Sequence, residues 1–345
     1  MNSGNNGNPA HMAVAILAGG SGTRLWPIST PSVPKPFVPL GPLGTLYGEA
    51  VSRAKALKPR ALFTVGAGPL KRFCTSPDVD YLEEPGARNT APAVALAAVK
   101  AYRDLDGEGV LLILPSDHHI AETHLFAATV GRLADACRNH AALGIMGIRP
   151  TGPETGYGYI EQGEAAGDAF RVSRFIEKPD RPKAEALLAA GRVAWNSGMF
   201  CLPLGVLRED LAEHCPGYWE ACEAWLDRTD ATPYLSLPNL SVDYALMEKT
   251  RRLLMVPAEF TWSDLGTFKA LHAALPKDEH GNAGWGPGRV EACRDCLVVT
   301  RRPQTLVRSL SGAAVVETED GLLTSDLESS EGIRSGVEAI LKGSG

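Results

Sequence analysis

Solid apolar runs and helical stripes follow one another along the first half of this chain. Residues 13–17 are an unbroken apolar run, the pattern of a strand buried on both faces. Helical spacing follows over 45–57, ending near Pro59, then short strands over 61–65 and 79–82, the latter leading into Glu83-Glu84-Pro85. Residues 90–105 are alanine-rich and helical, with Asn89 or Thr90 as the cap. The apolar run 110–114 is stopped by Pro115-Ser116-Asp117-His118-His119, and a helix over 126–138 and a strand over 143–148 come next. This alternation predicts an α/β fold, a Rossmann-like, mostly parallel sheet with helices on both faces. Ligands of such sheets sit beyond the carboxyl ends of the strands.

From Thr151 the rhythm changes. Residues 156–159 and 170–176 read as antiparallel additions to the sheet, with helices over 183–190, 204–214, 241–249 (capped by Ser241) and 264–274. Glycine and proline dominate 281–288, and short β-rich runs at 296–300 and 313–317 follow, with a last helix over 333–342. A domain boundary is expected near residue 280, separating a main domain, 13–280, from a small β-rich one, 281–345. Residues 1–12 lack periodicity, and His11-Met12 reads as a cloning scar, so this stretch is set aside as a tag or disordered segment.

Composition narrows the partners more than the fold. The 345 residues are 44% hydrophobic and 21% charged, as in a soluble globular protein. A net charge of -6 argues against a nucleic-acid surface, so an anionic substrate depends on a local basic cluster. No apolar run approaches the roughly 20 residues of a membrane span. Seven cysteines, an odd number with no secretory signal before them, predict a reduced, cytoplasmic protein. Cys293 and Cys296 have no second Cys or His pair at zinc-finger spacing.

The candidate chemistry starts where the first strand ends, at Leu17-Ala18-Gly19-Gly20-Ser21-Gly22-Thr23-Arg24-Leu25-Trp26-Pro27, with Pro34-Lys35-Pro36 soon after. Without Cβ atoms, glycines let backbone N–H groups crowd around phosphate oxygens, and Arg24 and Lys35 add full positive charges. This is neither of two commoner phosphate loops. The P-loop needs a Lys after its last glycine, and the dinucleotide fingerprint needs a glycine where Leu25 stands. Asp117 follows a buried strand, a place suited to a magnesium ligand or to a turn or cap carboxylate.

Together these stretches resemble the signature of sugar-1-phosphate nucleotidyltransferases. Leu-Trp-Pro and Pro-Lys-Pro-Phe are most similar to the mannose-1-phosphate guanylyltransferases of that family. Leu114-Pro115-Ser116-Asp117-His118 resembles the family's metal motif, and Trp262-Ser263-Asp264-Leu265-Gly266 matches its Trp-x-Asp-Leu-Gly. The resemblance therefore implies Asp117 and Asp264 as Mg²⁺ ligands, with Asp264 also able to cap the following helix. It implies nucleotide contacts from Gly19, Gly20, Ser21, Gly22, Thr23 and Arg24, and base recognition around Glu84, Pro85, Arg88, Asn89 and Thr90. Guanine offers two adjacent donors, which Glu84 or backbone carbonyls around Pro85 can accept. Sugar-phosphate contacts are implied for Gly158, for Glu177 and Lys178 in Phe-x-Glu-Lys-Pro, and for Asn196 in Trp-Asn-Ser-Gly-Met-Phe. The run from Ser241 to Glu248 also resembles the family and reads as helix capping and core packing.

The fold so implied is that of nucleotide-diphospho-sugar transferases, GT-A-like. The implied reaction moves GMP from GTP to α-D-mannose 1-phosphate. The sugar phosphate is already anionic, so no general base is required, and catalysis comes from positioning and charge neutralisation. Lys35 is assigned to the α-phosphate and Arg24 to the leaving pyrophosphate. The same chemistry on a heptose or glucose 1-phosphate, or with another nucleoside triphosphate, is the first alternative. A non-catalytic nucleotide-sugar sensor is the second, and the presence of Arg24, Lys35, Asp117 and Asp264 argues against it. Long family members carry a further isomerase domain, which this chain is too short to hold, so transferase activity alone is expected. The segment after residue 280 is too small to bury much surface by itself. It is expected to pack on the main domain, on a second subunit or on both, and the short relatives suggest a homodimer.

Overall fold

The apolar run after His11 forms strand β1 (Met12–Leu17), and its four central residues are completely buried. β1 lies inside its sheet between two parallel partners, the largely apolar β2 (Ala61–Ala67) and β4 (Val110–Pro115), the position of a strand covered on both faces. The computed structural model describes residues 11–19 and 25–328, together with Ile333, Gly336, Val337 and Ala339. These last four are helical, and the rest of the helix expected over 333–342 lies outside the described residues. The chain forms two compact units. The first comprises Met1–Ala18, Val51–Pro115 and Ile120–Thr261, and the second Gly19–Ala50, Ser116–His119 and Trp262–Gly345.

The first unit is built on one sheet. Its further strands are β3 (Asp80–Glu84), β6 (Leu143–Ile148), β7 (Tyr159–Ala166), β8 (Ala169–Ile176), β9 (Val193–Pro203) and β10 (Leu253–Pro257). The strand order is β3-β2-β1-β4-β9-β6-β10-β8-β7. The β3-β2-β1-β4 half is parallel throughout, while β9 runs antiparallel to both β4 and β6, and β7 and β8 are antiparallel additions as expected. The sequence pattern predicts no strand at β9, because Asn196-Ser197-Gly198 reads as a turn. Gly198 does take a positive φ of 64°, and the sheet absorbs the irregularity as a register shift between Ile145 and Gly147. Helices α2 (Thr90–Asp104), α5 (Leu204–His214) and α6 (Tyr218–Leu226) contribute Leu96, Leu207 and Cys222 to a core shared with Phe63, Leu111 and Phe200. The short α7 (Thr232–Leu235) adds the buried Tyr234 to the same core. Along α2, alanine side chains leave room for close helix–sheet packing. α3 (Thr123–His140) and α4 (Arg181–Ala190) start earlier than predicted; α4 does so because Asp180 caps it, accepting from Lys183 N at 2.9 Å.

In place of the helix expected over 241–249 there is a five-residue π-helical turn, Asp243–Met247. Ser241 stands at its start and accepts weakly from Tyr244 N, at 3.4 Å.

The second unit has its own core. Leu25, Ile28, Val38 and Leu40, along with Leu46 of α1 (Leu46–Ala56), pack with Phe268 and Leu271 of α8 (Phe268–Ala274) and with Leu297, Val299 and Val316. α8 begins later than predicted because Thr267 is its cap, accepting from Ala270 N at 3.1 Å. Asp264 does not cap it; its Oδ1 closes a tight turn by accepting from Gly266 N at 3.0 Å. The C-terminal strands β12 (Ala283–Trp285), β14 (Leu297–Val299) and β16 (Ala313–Glu317) stack in parallel, beside a second stack of β13 (Arg289–Glu291) and β15 (Leu306–Arg308). β17 (Leu322–Asp326) closes the first stack as an antiparallel hairpin. The tip of that hairpin sits on the first turn of the unit: Thr318 Oγ1 donates to Pro27 O at 3.1 Å, and a Cβ on Gly321 would lie 2.7 Å from the Trp26 ring. Gly321 is also at φ +154°, so a side chain there is excluded twice over.

Glu317, buried at the end of β16, accepts from Thr305 Oγ1 at 2.6 Å and from Arg301 N and Arg302. The Thr305 hydrogen bond leads in holding its carboxyl below its ordinary 4.5, at about 2, against the opposing effect of burial. A depressed carboxyl stabilises the fold above pH 4.5 and loses that contribution as pH falls towards 2. The urea midpoint of the wild type is therefore expected to fall more steeply across this window than that of Glu317→Gln; parallel curves would remove Glu317 from the acid response.

Candidate active site

The glycine stretch is described only at its first residue, Gly19, where a Cβ would meet nothing within 4 Å. Gly20, Ser21, Gly22, Thr23 and Arg24 lie outside the described residues. Past them, Pro34 at φ -64° leads into the 3₁₀ turn Lys35–Phe37, whose residues are all buried. The Phe37 ring packs on Tyr47 at 5.3 Å, and the flanking Val38 belongs to the second unit's core. These contacts aim Lys35 inward. Its Nζ lies 2.8 Å from Asp117 Oδ2 and donates to the Asp264 carbonyl oxygen at 2.5 Å.

Two histidines support this cluster. His119, in β5 (His119–Ile120), has its Nδ1 3.0 Å from Glu49 Oε2. Trp262, in β11 (Trp262–Ser263), donates its indole N–H to His118 Nδ1 at 3.2 Å, with the rings edge to face at 5.1 Å. An indole nitrogen is only ever a donor, so a neutral His118 carries its proton on Nε2, which lies 3.8 Å from Asp117 Oδ1. Burial pushes the Asp117 carboxyl up, but the Lys35 ammonium, then His118, pull harder, and the net shift is downward. Asp117 is thus a carboxylate at neutral pH.

Among the described residues no three His, Cys, Asp or Glu side chains converge as a metal site. A pair of carboxylates suits magnesium, which takes one or two from protein and completes its shell with phosphate oxygens and water. The hard oxygen donors of Asp117 and Asp264 fit that ion. They do not resemble the thiolate and imidazole sets of softer metals. Cys293 and Cys296 are buried free thiols; Asn282 ties their turn by donating to Cys293 O and accepting from Cys296 N.

In the first unit, Glu84 ends β3 at a strand's carboxyl end. It is buried, and its Oε1 accepts the Tyr234 hydroxyl proton at 2.7 Å. Burial raises its carboxyl, and the tyrosine bond offsets part of that rise. Pro85 and Arg88 are half-buried. Asn89 caps α2 through Thr90 N at 2.9 Å, while Thr90 Oγ1 accepts from Val242 N at 2.9 Å. The Asn89 oxygen thus serves its own helix, and the Thr90 oxygen a backbone N–H 152 positions away.

Gly158, Glu177, Lys178 and Asn196 come together in the same unit. A Cβ on Gly158 would lie 2.6 Å from Glu177 Oε2 and 3.3 Å from Asn196 Nδ2, so a side chain there would displace the Glu177 carboxylate from this arrangement. Lys178 Nζ is 2.8 Å from Glu177 Oε1 and well exposed. Beside them stands Asp243, which takes a hydrogen bond from Asn196 Nδ2 at 2.8 Å. Burial first, and the Glu177 charge second, raise the Asp243 carboxyl. The sequence reading assigns the Ser241-to-Glu248 run to helix capping and core packing; the Asp243 carboxylate is visible within it, but the pattern does not aim it.

Residues 13–281 match the family described as nucleotidyl transferase, and the chain belongs to that family. It is a nucleotidyltransferase enzyme, and among its relatives are mannose-1-phosphate guanylyltransferases. One of these, from Klebsiella pneumoniae, is 35% identical over 94% of this chain and 73% of its own length. The xanthan biosynthesis protein XanB of Xanthomonas campestris pv. campestris is 37% identical over 94% of this chain and 72% of its own length. The crystal structure described as mannose-1-phosphate geranyltransferase from Thermus thermophilus shares the fold at a TM-score of 0.87, with 30% identity, covering 96% of this chain and 99% of that one. The described residues include no helix long and apolar enough to cross a membrane.

Proposed function

We propose that the chain transfers GMP from GTP to α-D-mannose 1-phosphate, giving GDP-mannose and pyrophosphate, with Mg²⁺ as its metal. The observation that carries this reading is the convergence of the Lys35 ammonium on Asp117 and on the Asp264 carbonyl. The attacking phosphate is already an anion. Its difficulty is the charge of the triphosphate it approaches, which positioned cations relieve. Asp117 and Asp264 would hold the magnesium, which when bound draws charge from the phosphate oxygens. Lys35 steadies the α-phosphate, Arg24 the leaving pyrophosphate, and Gly19, Gly20, Ser21, Gly22 and Thr23 offer backbone N–H groups. Glu84, Pro85, Arg88, Asn89 and Thr90 surround the base. Glu177 and Asn196 bond sugar hydroxyls over Gly158, and Lys178 holds the sugar phosphate.

Pyrophosphate release from each nucleoside triphosphate against a panel of sugar 1-phosphates tests this. The highest kcat/KM is expected for GTP with mannose 1-phosphate. Preference for a glucose or heptose 1-phosphate, or for another triphosphate, would overturn the substrate assignment, and no release with any pair would overturn the reaction. The β-rich segment 281–345, too small to bury much surface by itself, is assigned to the pairing of two copies. Light scattering is expected to give about twice the 36.7 kDa chain mass; a single chain mass would exclude the dimer.

A further inference from the structure

The carboxamide of Asn196 is fixed at both ends. Its Oδ1 accepts the Gly198 N–H at 2.7 Å, and its Nδ2 donates to Asp243 Oδ1 at 2.8 Å. Reversing the amide would set its oxygen against a carboxylate and its amino group against an N–H donor. Gly198 defines where the oxygen goes, and Asp243 defines where the amino group goes. One Nδ2 N–H is then left for a ligand, and it can only donate.

Glu177 is constrained in the complementary sense. Lys178 Nζ occupies its Oε1 at 2.8 Å, and its Oε2 is the oxygen that flanks Gly158. An ionised carboxylate can only accept. A fixed donor and a fixed acceptor on either side of a residue without a side chain match two neighbouring ring hydroxyls, one accepting and one donating. The backbone adds rigidity, because Asn196 N donates to Gly158 O at 2.8 Å and ties the two strands at this point.

We propose, resting on the sugar-phosphate reading above, that Asp243 is a positioning residue: it locks the Asn196 amide so that this side chain donates to a sugar hydroxyl. Asp243 acts through Asn196 and need not touch the sugar. The π-helical turn Asp243–Met247 gives the carboxylate its place beside β9.

The test is steady-state kinetics on the full chain, with GTP and mannose 1-phosphate varied separately, for wild type, Asp243→Ala, Asp243→Asn, Asn196→Ala and the Asp243→Ala/Asn196→Ala double variant. Asp243→Ala is expected to raise the sugar-phosphate KM about tenfold, with kcat and the GTP KM moving less than about twofold. Asp243→Asn still offers an acceptor oxygen and is expected to stay within about threefold of wild type. Asp243→Ala should add little to Asn196→Ala, since both remove one interaction. An unchanged sugar-phosphate KM, additive single effects, or an equal rise in the GTP KM would overturn the proposal. A second readout needs no turnover. The Asn196 side-chain amide signals in ¹⁵N spectra of the ligand-free chain should be displaced and slowly exchanging in wild type, and should collapse to exposed-amide values in Asp243→Ala. Identical signals overturn the lock alone. A wild type inert towards every sugar 1-phosphate overturns the functional reading and the sugar assigned here together.

Discussion

Asp117→Asn and Asp264→Asn are each expected to lower turnover with magnesium by about a thousandfold, with the variants still folded. Asparagine keeps the shape and an acceptor oxygen, so the Gly266 N–H that Asp264 receives retains its partner. The negative charge alone is lost, and a hard divalent cation answers to charge more than to shape. Direct metal binding separates this from damage to the fold. Manganese titration followed by electron paramagnetic resonance should show weaker binding to both variants, with circular dichroism unchanged. Near-normal turnover in either variant would mean that its carboxylate does not ligate the ion.

Lys35→Met is expected to lower kcat by about a hundredfold and to change the sugar-phosphate KM little. Methionine fills most of the same buried channel, so the change is chiefly the loss of an ammonium. That ammonium is the partner of Asp117 at 2.8 Å, in a setting where burial alone pushes the carboxyl up. Its charge matters most as negative charge shifts towards the departing pyrophosphate, which is stabilisation specific to the transition state. A raised KM with unchanged kcat would show uniform binding instead, and the assigned role would be wrong.

The parallel half of the sheet could be read from β1 and β4 because strands buried on both faces leave no polar positions in their sequences. β9 escaped because its most informative residues, Asn196 to Gly198, carry a turn's chemistry inside a strand. The motif residues Lys35, Asp117 and Asp264 were visible as types. Their meeting was not, since the Lys35–Asp264 bond spans 229 positions and no local pattern encodes such a contact. Glu84 reads as a base acceptor alongside the backbone carbonyls around Pro85, yet part of its capacity is spent on Tyr234, a partner 150 positions away. Asp243 shows the same limit: a five-residue turn wider than an α-helix sets its direction, and periodicity does not register so short an element.

The second unit also has a consequence for how the protein is made. Leu25, Ile28, Val38 and Leu40 are synthesised well before their packing partners Leu297, Val299 and Val316. At about 5–20 residues per second, that separation is roughly 15–60 s of translation. Throughout that interval the core around the stretch bearing Lys35 lacks its β-strand members, while the sheet of the first unit can assemble from residues already made. A nascent chain therefore displays this apolar segment incompletely packed until those later partners have been made. That segment is where a holding chaperone would bind, and a chain released before those partners are made would lack part of the packing around the stretch that bears Lys35.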